Sequence, residues 1–406
     1  MIATAFLTAQ AHDLAKLNIS TKLADGREPV KIVCFGASTT GVYYHTGGRR
    51  VWCDMLGLAL QRIYPLAQLR MVNAGISGET TQDALKRIEA SVIVQKPQLV
   101  VVEFLLNDVV KLTLADYRDN LVKIIKAIQN SGSDVILCTP NLIYPDDPTR
   151  PLTRVEVYVE TVRQVAANMH VPIADCYRAF EEVRSNNVWS WMTLMDDSLH
   201  PNMLGHIVVA QEIAHVISDR NVSLGNVPPP FPSIPKTLAL LSKHMPVKVL
   251  AMPPYDRFIK SALLKISPDA QIIVTPWKAK SSAEIREESK KRDWAAMWNL
   301  KEEEQPDLVI VAIPSDSAAT SREQFDSYNW MLGTSLSFAG HDWDVVPILP
   351  SVIKAKQPDA ERNSEKLALK SIQAHDIGWI ARKPGDSSSS NEIVSRWLRI
   401  QATPMR

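Results

Sequence analysis

The stretch Lys31-Ile-Val-Cys-Phe-Gly-Ala-Ser-Thr-Thr40 decides how the rest of the chain is arranged. Its apolar half predicts a buried β-strand, and Gly36 breaks that strand into a turn that carries Ser38. Open α/β folds bind their ligands at the carboxyl ends of such strands, so we expect Ser38 at the mouth of a crevice. Serine in this turn is a candidate nucleophile and also an ordinary helix N-cap residue, and the stretch alone leaves both interpretations open.

Strands and helices alternate along the chain after this stretch. Strands are predicted at residues 68–73, 98–106, 134–139 and 171–175, and helices at 51–64, 79–91, 114–130, 154–169 and 203–218. Each strand is apolar enough to be buried on both faces, which is typical of a parallel sheet between two helical layers. With right-handed crossovers, the sequence predicts a doubly wound, three-layer α/β domain.

Length and composition are those of a globular protein with two domains. The chain has 406 residues, of which 46% are hydrophobic, and a net charge of +1. It lacks the positive field that nucleic acid requires, and no stretch approaches the roughly 20 apolar residues of a membrane span. Because no signal peptide is visible, we expect a cytoplasmic location, with export left open. The widely spaced cysteines, Cys34, Cys53, Cys138 and Cys176, indicate a reducing compartment and no zinc site.

A proline-rich segment divides the chain. Residues 226–235 contain five prolines, which predict a stiff, extended linker. Beyond it the pattern starts again, since Gln305-Pro-Asp-Leu-Val-Ile-Val-Ala-Ile-Pro314 follows Lys96-Pro-Gln-Leu-Val-Val-Val-Glu-Phe-Leu105 almost residue for residue. We infer an internal duplication. The predicted divisions are a lead-in helix within 1–28, a catalytic domain at 29–225, a linker at 226–244 and a degenerate second α/β domain of similar topology at 245–406.

Asp197-Ser-Leu-His200 places an acid three residues before a histidine. One loop can therefore present both side chains to the same point, with the carboxylate fixing the tautomer of the imidazole. A serine hydroxyl needs such a base within hydrogen-bond reach, so Ser38, Asp197 and His200 could form a catalytic relay. By itself, Asp-x-x-His is more often an ordinary surface loop.

The ends of the next two strands offer donors for a developing oxyanion. Gly75 can expose its backbone N–H, and Asn107 supplies a side-chain amide, so that with the N–H of Ser38 there would be three donors. Taken singly, Gly75 is also a common turn residue and Asn107 a common Asx-turn or cap residue. Between the blocks, the loop Gly41–Arg50 holds His45 and paired arginines, and could either wall a pocket or be exposed.

Four blocks of this sequence resemble those of the SGNH, or GDSL-like, hydrolase family. They are Phe35-Gly-Ala-Ser-Thr-Thr40, Asn73-Ala-Gly-Ile-Ser-Gly-Glu-Thr80, Glu103-Phe-Leu-Leu-Asn-Asp108 and Asp197-Ser-Leu-His-Pro-Asn202. The resemblance spans about residues 29–218. It implies a flavodoxin-like three-layer domain, Ser38 as nucleophile, His200 as base with Asp197 as its partner, and Ser38, Gly75 and Asn107 as the oxyanion hole.

Two positions depart from the family pattern. Ala37 stands where the family has aspartate, at a position without a chemical role. Leu105 stands where a glycine is usual, two residues before Asn107, and is expected to narrow the pocket or tilt Asn107.

The second half keeps the strand pattern without the chemistry. The segment Met252-Pro-Pro-Tyr-Asp256, which corresponds to the Ser38 region, holds no serine, and Asp316 stands where Asn107 would be. An aspartate there would repel an oxyanion, so we expect a non-catalytic domain. His375-Asp376 is expected to be structural, and the many tryptophans of this half suit a core better than sugar stacking.

The sequence therefore predicts a serine esterase that removes a small acyl group, with acetyl favoured, from a carbohydrate or similar polar ester. The alternative is a non-catalytic carbohydrate-binding or scaffold protein that retains the fold. No cofactor and no metal are expected. The expected partner is a small-molecule ester such as an acetylated sugar, with neither nucleic acid nor membrane, and homo-oligomerisation is left open.

Overall fold

β1 (Pro29–Gly36) is the strand around which the first sheet is built. It pairs in parallel with β2 (Gln68–Asn73) on one side and with β3 (Leu99–Glu103) on the other. β3 pairs in turn with β4 (Asp134–Cys138), and β4 with the short β5 (Ile173–Ala174). The order is thus β2-β1-β3-β4-β5, with all neighbours parallel. Because β3 is buried at every residue, the apolar run of the sequence lies in the middle of the sheet.

The computed structural model describes residues 17–277, 285, 287–288, 291, 293–301, 304–314, 321–337 and 342–403. Its helices in the first half are α1 (Asn18–Asp25), α2 (Ser38–Gly41), α3 (Trp52–Ile63), α4 (Thr81–Ser91), α5 (Asp108–Lys111), α6 (Leu114–Asn130), α7 (Leu152–Met169), α8 (Cys176–Asn186), α9 (Val188–Met192) and α10 (Met203–Ser218). Those in the second half are α11 (Pro235–Ser242), α12 (Ile259–Leu264), α13 (Trp294–Trp298), α14 (Ser321–Ser335), α15 (Asp359–Ala374) and α16 (Ser390–Gln401). The lead-in helix is predicted within residues 1–28, and the part of it before residue 17 lies outside the described residues.

Local sequence explains where several of these helices begin and end. Thr80 caps α4 in a capping box, in which its hydroxyl accepts from the N–H of Asp83 and the Asp83 carboxylate accepts from the N–H of Thr80. α1 ends at Asp25 because Gly26 follows with a left-handed φ of 66°. α11 lies within the predicted linker 226–244, and this is possible because Pro235 occupies a first-turn position, where no N–H is needed.

A second parallel sheet follows α11. Its strands are β6 (Val247–Ala251), β7 (Ile272–Pro276), β8 (Leu308–Ala312) and β9 (Asp344–Ile348), in the order β7-β6-β8-β9. Alternate residues of these strands enter two separate hydrophobic clusters, one with α12 and α16 and the other with α14 and α15. The sheet is therefore buried on both faces, as expected for a three-layer α/β unit.

The tryptophans of the second half are part of this core. Trp277, Trp294, Trp298 and Trp343 pack edge to face or tilted on one another, with ring centroids 5.1 to 5.9 Å apart. All but Trp294 are buried, so the ordinary core interpretation is correct for this cluster.

The described residues pack into two units that are not contiguous in sequence. The first comprises residues up to 41, 56–179 and 209–223, and the second comprises 42–55, 180–208 and 224 onward. The first sheet lies in the first unit and the second sheet in the second. Within the described residues, no helix is both long and apolar enough to cross a membrane. The predicted α/β class, with parallel sheets and a second α/β region, is confirmed.

Candidate active site

Ser38 lies where β1 leaves the first sheet. The strand ends at Gly36, and Ser38 is the first residue of the short helix α2, half-buried. An N-cap residue precedes the first helical residue, so Ser38 is not in the capping position that the sequence left open. The turn has no room for a side chain at Gly36, since a Cβ there would lie 2.1 Å from Thr40 Oγ1. This restriction fixes the path of the backbone that carries Ser38.

Two buried acids lie in the first unit, and one of them, Glu103, is hydrogen-bonded to this turn. Thr40 Oγ1 donates to Glu103 Oε2 over 3.0 Å, and burial raises the pKa of Glu103 to about 8. Asp108 accepts from the N–H and the hydroxyl of Thr81 at 2.8 and 2.6 Å, and burial raises its pKa to about 6. At neutral pH Glu103 is therefore largely protonated, whereas Asp108 is largely ionised and its buried charge is stabilised by the two hydrogen bonds from Thr81.

Gly75 follows β2, at a point where two backbones come very close. A Cβ on Gly75 would lie 2.4 Å from the N atom of Gly41, and a Cβ on Gly41 would lie 2.3 Å from the carbonyl oxygen of Gly75. Only glycine fits at either position. The N–H of Gly75, a predicted oxyanion donor, donates to Asn73 Oδ1 over 2.9 Å. To bind an oxyanion, the Gly75 N–H would have to break its hydrogen bond to Asn73 Oδ1.

Asn107 lies just beyond β3, at the start of α5. Its side chain makes no capping hydrogen bond, so the cap interpretation does not explain it. Instead, Nδ2 donates to the carbonyl oxygen of Glu79 over 2.9 Å. An amide nitrogen carries two protons, so this bond orients the group and leaves a second N–H. Leu105, two residues earlier, is 1% exposed and belongs to the buried core.

Asp197 and His200 lie together in the second unit, between α9 and α10. Asp197 Oδ1 accepts from the backbone N–H of Leu199 and of His200 at 2.8 and 2.6 Å, which fixes the carboxylate. Oδ2 lies 3.0 Å from His200 Nδ1. Burial raises the pKa of Asp197, but the hydrogen bond and charge interaction with His200 outweigh it, so the pKa lies well below its usual value. An ionised carboxylate only accepts, so His200 carries its proton on Nδ1.

His45 and Asp196 form a second pair beside the first. His45 Nδ1 lies 2.7 Å from Asp196 Oδ2, and its ring stacks on that of His200 with centroids 4.0 Å apart and an interplanar angle of 19°. The sequence indicated that the loop of His45 could wall a pocket, but it did not predict this pair. The doubled acid Asp196-Asp197 is the only signal the sequence carried, because 151 residues separate His45 from Asp196.

This cluster is poorly arranged for a metal ion. One ligand atom each from His45, Asp197 and His200 lies within 4.8 Å of the others. A metal binds imidazole nitrogen at about 2.0–2.1 Å, along the lone pair in the plane of the ring. The two rings are stacked, so their lone pairs run side by side instead of converging, and both Nδ1 atoms already face carboxylates. The geometry favours a hydrogen-bonded cluster.

His375 and Asp376 have structural partners in the second unit. His375 Nδ1 donates to the carbonyl oxygen of Ser371 over 2.8 Å, and the residue is 3% exposed. Asp376 forms a bidentate ion pair with Arg50, whose Nε and Nη2 donate to its two carboxylate oxygens at 2.7 and 2.6 Å. Asp316, the residue predicted to replace Asn107 in this half, lies outside the described residues.

Comparison with known proteins gives matches over the first half of the chain. The model of the GDSL-like lipase/acylhydrolase family matches residues 34–208. An acetylxylan esterase of Geobacillus stearothermophilus is 29% identical over 188 residues, which are 44% of this chain and 80% of that protein. An uncharacterised lipoprotein of Bacillus subtilis is 32% identical over 126 residues, 28% of this chain and 50% of that protein.

Solved structures give matches of similar extent. A crystal structure of an acetylxylan esterase from Geobacillus stearothermophilus is 27% identical and covers 48% of this chain and 97% of its own, with a TM-score of 0.42. An α/β hydrolase from the metagenome of Lake Arreo, Spain, is 27% identical and covers 47% and 96%, with a TM-score of 0.40.

The family match begins within β1, before Ser38, and ends in α10, after His200, so it includes all four predicted blocks. The resemblance inferred from those blocks is therefore confirmed. Residues 34–208 of this chain are a GDSL-like lipase/acylhydrolase domain, and the protein is a carboxylic ester hydrolase of the SGNH type.

Proposed function

We propose that the protein is a serine esterase that removes a small acyl group, acetyl above all, from an oxygen of a carbohydrate or similar polar substrate. The observation that carries this proposal is the Asp197–His200 pair, in which a fixed carboxylate holds the imidazole in the tautomer that a base requires. Its position in a matched GDSL-like domain, with Ser38 in the first block, supports the assignment of a Ser-Asp-His triad.

In this mechanism Ser38 Oγ attacks the ester carbonyl while His200 Nε2 takes the hydroxyl proton. The proton is then donated to the departing alcohol, leaving an acyl group on Ser38, and water repeats the attack to release the acid. The oxyanion would accept from the N–H groups of Ser38 and Gly75 and from Asn107 Nδ2. Gly75 would release Asn73 Oδ1 as the oxyanion forms, since a charged acceptor makes the stronger bond.

The acetyl and carbohydrate parts of the proposal have a separate support. The relative from Geobacillus stearothermophilus, which is matched over 80% of its length, bears the name acetylxylan esterase. An acetylated, xylan-derived sugar is therefore the first substrate to test.

We further propose that the region of the second sheet, residues 245–406, is non-catalytic. The segment after β6 has Met252, Pro253 and Pro254 where the first sheet has its nucleophile turn. His375, the histidine that could imitate His200, is buried and donates to a backbone carbonyl. This region would then serve to cover or shape the first site, or to form a dimer.

A cytoplasmic location is part of the same proposal. The four cysteines are buried and none of them belongs to a disulfide, as expected for a protein that functions in a reducing compartment. Cell fractionation with compartment markers tests it, and recovery of the native protein with periplasmic or extracellular markers contradicts it.

The catalytic proposal is tested with the full chain and two substrates, p-nitrophenyl acetate and acetylated xylo-oligosaccharides. Ser38→Ala should lower kcat by roughly 10⁴–10⁶-fold, as loss of a triad nucleophile does. Ser185→Ala is the matched control, since Ser185 is an exposed serine of α8. Hydrolysis that survives Ser38→Ala would move the activity to another residue, including any in the second region. Hydrolysis of p-nitrophenyl acetate without any release of acetate from the sugars would refute the substrate class.

A further inference from the structure

We propose that His45, oriented by Asp196, is a positioning residue for the catalytic base His200. Its ring supports the face of the His200 imidazole and presents it with a neutral aromatic surface while His200 carries the proton taken from the nucleophile. This proposal rests on the proposed serine esterase function, in which His200 is the base.

The first support is the geometry of two parallel histidine–aspartate pairs. Each imidazole faces a carboxylate through Nδ1, at 2.7 Å for His45 and Asp196 and at 3.0 Å for His200 and Asp197. The rings are nearly parallel, and the N–H of Asp196 donates to the carbonyl oxygen of His200 over 3.0 Å. Asp196 is thus bonded to both histidines, and rotation of the His200 ring would break its contact with His45.

The second support is the protonation state of His45. Its side chain is 2% exposed, and burial lowers its pKa, with the nearby His200 acting in the same direction and Asp196 opposing them. A neutral His45 facing a carboxylate carries its proton on Nδ1, because the carboxylate can only accept. A protonated His200 therefore meets the π-face of an uncharged ring, an attractive arrangement for a cation, instead of a second positive charge.

The other charged groups near the pair are consistent with this assignment. Asp197 and Asp196 are the carboxylates, and both favour a positive charge on the histidines. Burial lowers the pKa of His206 to about 3, so this neighbour adds no positive charge at neutral pH. His375, which interacts with Asp196, is likewise buried with a lowered pKa.

The third support is the anchoring of the loop that carries His45. The Thr46 hydroxyl donates to the carbonyl oxygen of Arg50 at 2.5 Å, and the carbonyl oxygen of Tyr43, 3.0 Å away, is the alternative acceptor for the same proton. Gly47 has a left-handed φ of 73°, and a Cβ there would lie 1.9 Å from the carbonyl oxygen of His375. Arg50 is tied to Asp376 by its two hydrogen bonds. A loop held at this many points can keep a side chain in one place, as a positioning role requires.

The test compares three variants in p-nitrophenyl acetate hydrolysis over a pH range. His45→Ala should lower kcat by about 10–10²-fold with KM little changed, because misplacing a catalytic group costs rate without weakening substrate binding. It also leaves the Asp196 carboxylate without its partner and lets water reach His200. Both changes favour the protonated base, so the acid limb of the kcat/KM profile should move to higher pH.

The other two variants separate the two parts of the arrangement. His45→Phe keeps a neutral ring face on His200, so it should recover most of the kcat lost in His45→Ala. Asp196→Asn removes one negative charge beside both rings, so its acid limb should move to lower pH, opposite to that of His45→Ala. His244→Asn is the control: His244 is exposed with a left-handed φ of 54°, a conformation that asparagine tolerates.

These measurements distinguish a positioning role of His45 from a purely structural one. Equal kcat values in wild type, His45→Ala and His45→Phe would overturn the proposal. So would a loss of rate that matches the loss of folded protein while the acid limb stays in place. If His45→Ala does not fold, the shift of the acid limb to lower pH expected for Asp196→Asn and the near-normal kcat expected for His45→Phe still decide the question. Failure of the underlying esterase mechanism would appear differently, as activity that survives Ser38→Ala.

Discussion

The two sheets of this protein share a strand order but differ at the ends of their strands. The first runs β2-β1-β3-β4-β5 and the second β7-β6-β8-β9, which among the described residues is the same order without a fifth strand. At the position that corresponds to β5, Ile348 at the end of β9 forms a single parallel β-bridge with Ile380. In each half of the chain, apolar runs of about five residues are thus enough to form a parallel sheet with this strand order.

The residues that follow the strands differ between the two sheets, and the proposed ester hydrolysis depends on them. After β1 the chain continues through a close approach of Gly41 and Gly75 that no side chain could enter. After β6 it continues with Met252 and two prolines, and β7 ends at Pro276 beside the buried Trp277. Both arrangements are compatible with a sheet, but only the first has glycines at the strand ends, where a backbone N–H can be approached without a side chain in the way.

The largest effect among the tests of this comparison is expected at Asn107. Asn107→Ala removes a proposed oxyanion donor, and loss of one such donor typically lowers kcat by about 10²–10³-fold. The fold should survive, since the side chain donates its hydrogen bond to a single backbone carbonyl, that of Glu79. Kinetics with p-nitrophenyl acetate measure the effect, and Asn130→Ala at the exposed end of α6 is the control. A near-normal kcat would show that the end of β3 is no more catalytic than the end of β8.

The scaffold was largely predictable from the sequence, because hydrophobic runs and capping residues are local signals. β2, α6 and α10 begin and end where the sequence predicted. α8 and α9 were not predicted, although together they occupy residues 176–192. The prolines of residues 226–235 suggested an extended linker, yet Pro235 begins α11 and Leu241 packs into the core of the second sheet.

The candidate site was predictable only where its residues are close in sequence or lie in recognisable blocks. Asp197 and His200 meet as their spacing predicted, since one turn brings them together. His45 and Asp196 are 151 residues apart, and Arg50 and Asp376 are 326 residues apart. Neither pair has a periodicity or a motif, because each depends on loops whose paths are set by tertiary packing.

A smaller effect is expected when a methyl group is added to the first sheet. In Gly36→Ala the new Cβ would meet Thr40 Oγ1 at 2.1 Å and the carbonyl oxygen of Glu103 at 2.7 Å. Overpacking of this kind costs about 1–3 kcal/mol, so the unfolding temperature should fall by several degrees. The corresponding change in the second sheet is Ala251→Gly at the end of β6, where a side chain already fits. It should lower the free energy of unfolding by about 1 kcal/mol or less. Calorimetry that ranks the two variants the other way would contradict the proposed crowding at the nucleophile turn.

The smallest effect concerns the last residue of β3, where the first sheet has Glu103 and the second has Ala312 at the end of β8. Burial raises the pKa of Glu103 from 4.5 to about 8, with the charge of Asp108 acting in the same direction and the hydrogen bond from Thr40 opposing them. The folded protein therefore keeps a proton that the unfolded chain has already released between these pH values. The stabilisation is complete below pH 4.5 and is lost as the pH rises towards 8, by up to about 1.4 kcal/mol for each pH unit.

Glu103→Gln tests this dependence, because glutamine has a similar shape, can still accept from Thr40 and has no proton to lose. Urea unfolding should be compared at several pH values between 6.5 and 8, a range that lies above the raised pKa of Asp108, about 6, so that this second acid contributes little to the slope. The free energy of unfolding of the wild type should fall with pH relative to that of the variant. Parallel curves for the two proteins would mean that the end of β3 titrates no differently from the apolar end of β8, and that Glu103 does not distinguish the first sheet from the second.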